Sequence, residues 1–131
     1  MLRASAAGLL LAVSMAPTAW AEPTVLPEVP APPGMTLVDD PAIVGPHALP
    51  PQSWSRLDPE PELALNFEIG SPGCYGVHAT VQETDETVVV TLTSGRRYQR
   101  PHMMCTMIMV QGKLIVPLGN PVGDRTVVVA E

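Results

Sequence analysis

Residues 87–93 read TVVVTLT and residues 63–69 read LALNFEI. In the first stretch Val88, Val90 and Leu92 fall on one side of an extended chain, with Val89, Thr91 and Thr93 on the other. In the second, Leu63, Leu65, Phe67 and Ile69 share a face. Successive side chains of an extended backbone point to opposite sides, so a period of two marks a half-buried β-strand. Working outward, Val77, Ala79 and Val81 alternate with His78, Thr80 and Gln82 in the same way. The GSPG at 70–73 and the polar Glu83-Thr84-Asp85-Glu86 break the chain between these runs, and SGRRYQRP at 94–101 reads as the next loop.

Residues 103–110 then read as a strand, Gln111-Gly112 as a tight turn, and KLIVPL at 113–118 as another strand. GNPVGD at 119–124 turns the chain once more before RTVVVA at 125–130 closes it. No helical periodicity interrupts the series. Strands with one apolar face need an opposing sheet. The predicted fold is therefore all-β: a small antiparallel β-sandwich, immunoglobulin-like, of six to seven strands, occupying residues 62–131.

Upstream the composition changes sharply. Residues 22–61 hold eleven prolines, in runs such as PEVPAPPG and HALPPQ. Each proline removes a backbone donor and turns its predecessor away from helix. The segment is expected as an extended, partly polyproline-II tether, disordered or docked through Val38, Ile43 or Trp54.

Residues 1–21 carry the marks of an export signal: Arg3 near the start, an apolar run from Ala6 to Ala16, and Ala19-Trp20-Ala21 as the cleavage pattern before Glu22. The run is too short to remain as a comfortable bilayer span, so no stable membrane insertion is expected after cleavage, and the expected location is secreted or extracytoplasmic, in the cell envelope. Without Arg3 the chain has six basic against thirteen acidic residues, a net charge near −7. Nucleic acid and anionic membranes both require a basic footprint, and neither is expected as a partner. Two cysteines in an exported chain are expected to pair, as Cys74–Cys105.

Several of these features occur together in a recognisable order. The segment from Cys74 through Val81, QET at 82–84, TVVVTLT, Cys105 and VPLGNPVGDRTVVVAE at 116–131 resembles a group of small exported β-domains common in actinobacteria. Glu83, Thr84, Cys105, Pro121, Gly123, Asp124 and Arg125 occupy matching positions, with Val122 where leucine is usual. The likeness spans residues 63–131 and omits the proline-rich half. It implies the fold, the disulfide and export, and it implies no activity.

The departure from that pattern is RPHMMCTMIM at 100–109, where four of the chain's seven methionines gather. Its main reading is a sulfur-rich core strand, since methionine fills irregular cores and both faces of the run are apolar. The alternative is a copper(I) site of His102, Met103, Met104, Met107 and Met109, with His78 as a further imidazole, because thioethers select soft ions. The main reading expects no metal and no cofactor. The loop residues Arg96, Arg97, Tyr98 and Arg100 form the candidate contact surface, since arginine forks grip carboxylate-bearing partners or anionic polymer. Glu83 and Arg125 are the candidate structural ion pair.

No nucleophile elbow, zinc-binding H-E-x-x-H or phosphate loop is present. The functional expectation is a non-enzymatic interaction or structural module. Its partner would be an unidentified protein or an anionic envelope polymer.

Overall fold

The computed structural model describes residues 8–12, 23–98 and 104–130. Among them are nine strands in two sheets: β1 (Thr24–Val25), β2 (Met35–Leu37), β3 (Val44–Ala48), β4 (Ser53–Arg56), β5 (Glu62–Ile69), β6 (Tyr75–Glu83), β7 (Thr87–Arg96), β8 (Val110–Pro117) and β9 (Thr126–Val129). The chain is a small β-sandwich. The strand pairings are mainly antiparallel, but β2 runs parallel to β8 and β9 parallel to β7.

β7 is the hub of the five-stranded sheet. β6 lies along one edge of it for nearly its whole length, from Tyr75 opposite Arg96 to Glu83 opposite Val88. Its other edge is shared between β9, beside residues 87–90, and β3, beside residues 93–96. The four-stranded sheet runs β2-β8-β5-β4. Between the sheets lie Leu63, Leu65, Phe67, Ile69, Leu114 and Val116, packed with Val77, Val88, Val90, Leu92, Val127 and Val129. The alternating faces of β5 and β7 fill the core, each fully buried Leu, Val or Phe contributing about 1.5–3 kcal/mol.

The proline-rich half departs most from expectation. It is no tether: it supplies β1 to β4 and buries Leu26, Leu37 and Trp54 in the same core. It does so at sheet edges, where a missing N–H costs least. The chain passes between the sheets repeatedly. Glu28 bridges to Trp54, Leu37 pairs with Leu114, and Asp39 then bridges to Val77 in the opposite sheet. β3 carries a register shift at Gly45-Pro46, where Gly45 has φ 62°, a conformation that favours glycine. Such a bulge with a proline blunts an exposed edge.

One crossing explains a buried polar cluster. Glu28 sits beyond β4, whereas Met35 pairs with β8 at the opposite edge of that sheet. Residues 29–34, VPAPPG, therefore cross the sheet's outer face, and Lys113 Nζ donates to the Pro32 carbonyl at 3.4 Å. On that face Ser53, Ser55, Ala64 and Asn66 are buried. Asn66 Nδ2 donates to Ser53 Oγ and Ser55 Oγ, both at 3.0 Å, while its Oδ1 finds no partner among the described residues. Three of the six residues crossing above are prolines with no N–H to offer it.

The methionine-rich segment is the second correction. Residues 104–109 form no strand, and β8 begins only at Val110, opposite Ile69. Gln111 and Gly112 lie inside β8 and make no turn. The reason is the disulfide. Cys74 occupies the turn before β6, where its N–H donates to Ser71, and it holds Cys105 at a Cα–Cα distance of 5.9 Å. The chain at Cys105 is thus kept beside that turn and out of the ladder.

Candidate binding surface

At the end of the sandwich where β7 finishes, the disulfide joins two segments that differ in burial. Cys74 is buried, whereas residues 104 and 106–109 stand exposed. Met104 is 96% exposed, Met107 103%, Met109 67% and Ile108 49%. Tyr98, two residues past the end of β7, is 70% exposed. Isolated apolar side chains at a surface are ordinary, but Met104, Met107, Ile108 and Met109 are four exposed ones within six residues of sequence, a density that usually marks contact with something else.

The arginines of the preceding loop do not share this display. The Arg96 guanidinium lies 5.4 Å from the Tyr75 ring centre and donates through Nη1 to Cys105 Sγ at 2.8 Å. Arg97 is half-buried and its backbone N–H donates to the Cys74 carbonyl at 2.8 Å. Both arginines buttress the disulfide end. Of the expected contact set, only Tyr98 faces solvent fully, and Arg100 lies outside the described residues.

Beneath this end Gly76 faces Gly95 across the β6–β7 ladder, and the chain at Ile43-Val44 packs closely over the pair. A Cβ on Gly95 would stand 2.7 Å from the Val44 carbonyl oxygen, and one on Gly76 2.9 Å from Ile43 Cγ2. Glycine there lets β3 and the residue before it lie directly on the sheet. A cleft of about 500 Å³ opens between β3, the end of β5 and the exposed segment. His47, Glu68, Tyr75, Met107, Ile108 and Met109 are among its walls.

The copper(I) candidates divide. Met104, Met107 and Met109 are on the exposed segment, whereas His102 and Met103 lie outside the described residues. His78 is elsewhere, its Nδ1 3.0 Å from Asp39 Oδ1. Among the described residues no three of His, Cys, Asp and Glu gather as a metal site. His47, which no sequence motif singled out, reaches the cleft through the fold alone.

The opposite end is locked by two charge clusters. Glu83 and Arg125 meet there at 3.1 Å. The second cluster joins segments far apart in sequence and was not legible from it. Arg56 Nε donates to Glu28 Oε1 at 2.8 Å, and its Nη1 donates to Asp58 Oδ2 at 2.9 Å and to the Gly123 carbonyl at 2.8 Å. The hydrogen bonds to Glu28 and Asp58 raise the Arg56 pKa. Partial burial opposes ionisation of Asp58, but hydrogen bonds from Arg56 and from the Gly123 and Val122 N–H groups outweigh it and hold the carboxyl below its ordinary range.

Among the described residues no helix is long and apolar enough to cross a membrane, and Leu9, Leu10 and Leu11 stand exposed outside the core. The chain matches no family model, no curated protein and no solved structure.

Proposed function

We propose that the protein is an exported, non-enzymatic interaction module of the cell envelope or secreted fraction. Its contact surface is the apolar patch of Tyr98, Met104, Met107, Ile108 and Met109. The single observation behind this reading is that the chain's most sulfur-rich segment is displayed at the surface and tied to the body by a disulfide. Methionine suits such a role, since its flexible, polarisable side chain adapts to a partner's apolar surface. The disulfide, the leader-like N-terminus and the likeness to small exported β-domains favour an extracytoplasmic setting. A protein with an exposed apolar face suits this patch better than an anionic polymer, because the Arg96 guanidinium is engaged within the fold, Arg97 is half-buried and the chain is acidic overall.

Site-specific photocrosslinking in the exporting cell tests the reading. A crosslinker replacing Met107 should capture a defined partner, and one replacing Asp85, at the far end of β7, should not. Equal capture at both positions, or at neither, would overturn the proposal.

A further inference from the structure

We infer that the cleft at the disulfide end binds one soft monovalent cation, Cu(I), through the thioethers of Met107 and Met109 and the imidazole of His47. This goes beyond the interaction-module reading, because it assigns an ion and requires His47, which an apolar contact does not.

The donors are the first argument. Met107, Met109 and His47 line the same cleft of about 500 Å³, the methionines from the exposed segment and the histidine from β3. Thioether sulfur and imidazole nitrogen together suit Cu(I), whereas calcium and magnesium require oxygen cages. Cys105 also borders the cleft, but its sulfur is bonded to Cys74 and offers no thiolate.

Geometry and charge are the second. Met107 and Met109 are two residues apart in sequence, a short interval that two long methionine side chains can close onto one ion. Residues 104–109 belong to no strand, so no ladder holds the two thioethers apart. The His47 imidazole makes no hydrogen bond with any described residue, in contrast to His78, whose ring nitrogen is taken by Asp39. Glu68 also lines the cleft and supplies negative charge beside a bound cation. The site is thus two thioether sulfurs and one imidazole nitrogen near one carboxylate, a set that suits a single soft positive charge.

The test titrates the disulfide-intact, purified chain with Cu(I) alone, anaerobically, against a chromophoric Cu(I) chelator. One equivalent should be retained. Losing even an outer partner of a metal ligand typically weakens binding about ten-fold or more, so His47→Ala and Met107→Ser should each lower affinity at least that far. His47 is exposed on an edge strand, and its replacement leaves the core untouched. Methionine methyl resonances give a second readout: those of Met107 and Met109 should move on Cu(I) addition, while that of Met35, outside the cleft, stays in place. Failure to retain Cu(I), equal affinity in His47→Ala, or unmoved Met107 and Met109 methyls would each overturn the inference. None of these outcomes bears on photocrosslinking at Met107, so the two readings stand or fall separately.

Discussion

Arg125 Nη1 donates to Glu83 Oε1 at 3.1 Å, and the same guanidinium also gathers the carbonyls around it. Its Nη2 donates to Asn120 and Pro121 at 3.0 and 2.9 Å, and its Nε to Val122 at 3.2 Å. Glu83 Oε2 in turn accepts the Gly119 N–H at 2.8 Å. One ion pair therefore fixes the whole loop between β8 and β9 against the end of β6.

That pair predicts a pH dependence. The Gly119 N–H, with help from Arg125 and the Asn120 N–H, holds the Glu83 carboxyl below its ordinary value despite partial desolvation. A depressed carboxyl stabilises the fold above its unfolded pKa, about 4.3, and loses that contribution as pH falls through the lower folded value. Glu83→Gln should be less stable at pH 7 by about 1 kcal/mol, the upper range for a pair that solvent still reaches. The deficit should shrink below pH 4. Urea unfolding of both proteins at pH 7 and pH 3 measures it, and a deficit independent of pH would contradict the assignment.

Arg125→Ala should cost more, about 2–3 kcal/mol, because it strips a donor from several carbonyls at once. The measurement is the shift in urea midpoint, with Asp85→Ala in the exposed turn as a comparison that should stay within about 0.5 kcal/mol of the parent.

The proline-rich half is expected to behave as part of the cooperative unit. Trp54 is 4% exposed and pairs with Leu65 across β4 and β5. Trp54→Ala should cost about 3–5 kcal/mol. Limited proteolysis should spare residues 24–56 in the parent and cut them in the variant. A tether would be cut in both.

The crossing of residues 29–34 over Ala64 and Asn66 makes a narrower prediction. Ala64 is 1% exposed, so Ala64→Leu should overpack this face, with a cost of about 1–3 kcal/mol. Hydrogen exchange should then rise at Ala31 and Gly34, the non-proline residues of the crossing beyond Val29. Unchanged exchange would mean that the segment runs elsewhere.

How far the sequence revealed this molecule can be seen in three places. The faces of β5 and β7 were legible because alternation follows directly from backbone geometry, and Leu63, Leu65, Phe67, Val88, Val90 and Leu92 are buried as read. The proline-rich half reads as a tether because local rules penalise proline in strands. They carry no information on whether an edge is available, and edges are where Pro27 and Pro46 lie. The methionine segment misled in the other direction. Its apolar content suggested burial, but pairing of Cys105 with a turn at the sandwich end removed it from the sheet, a long-range constraint that periodicity does not encode. His47 joined the cleft for a similar reason, through a pairing of β3 with a strand about fifty residues away.

The disulfide itself closes a separation of 31 residues. Its removal by paired Cys74→Ser and Cys105→Ser substitutions should cost about 3–4 kcal/mol on the loop-closure account. Because the exposed segment hangs from it, exchange at Thr106 to Met109 should accelerate more than at any residue of β5.

Methionine oxidation by dilute peroxide, followed residue by residue with and without envelope extract, tests the account most directly. Met104, Met107 and Met109 should oxidise rapidly in the purified protein, and extract should slow them selectively while Met35 is unaffected. Slow oxidation in the purified protein, or equal rates with and without extract, would contradict a displayed contact surface at the disulfide end.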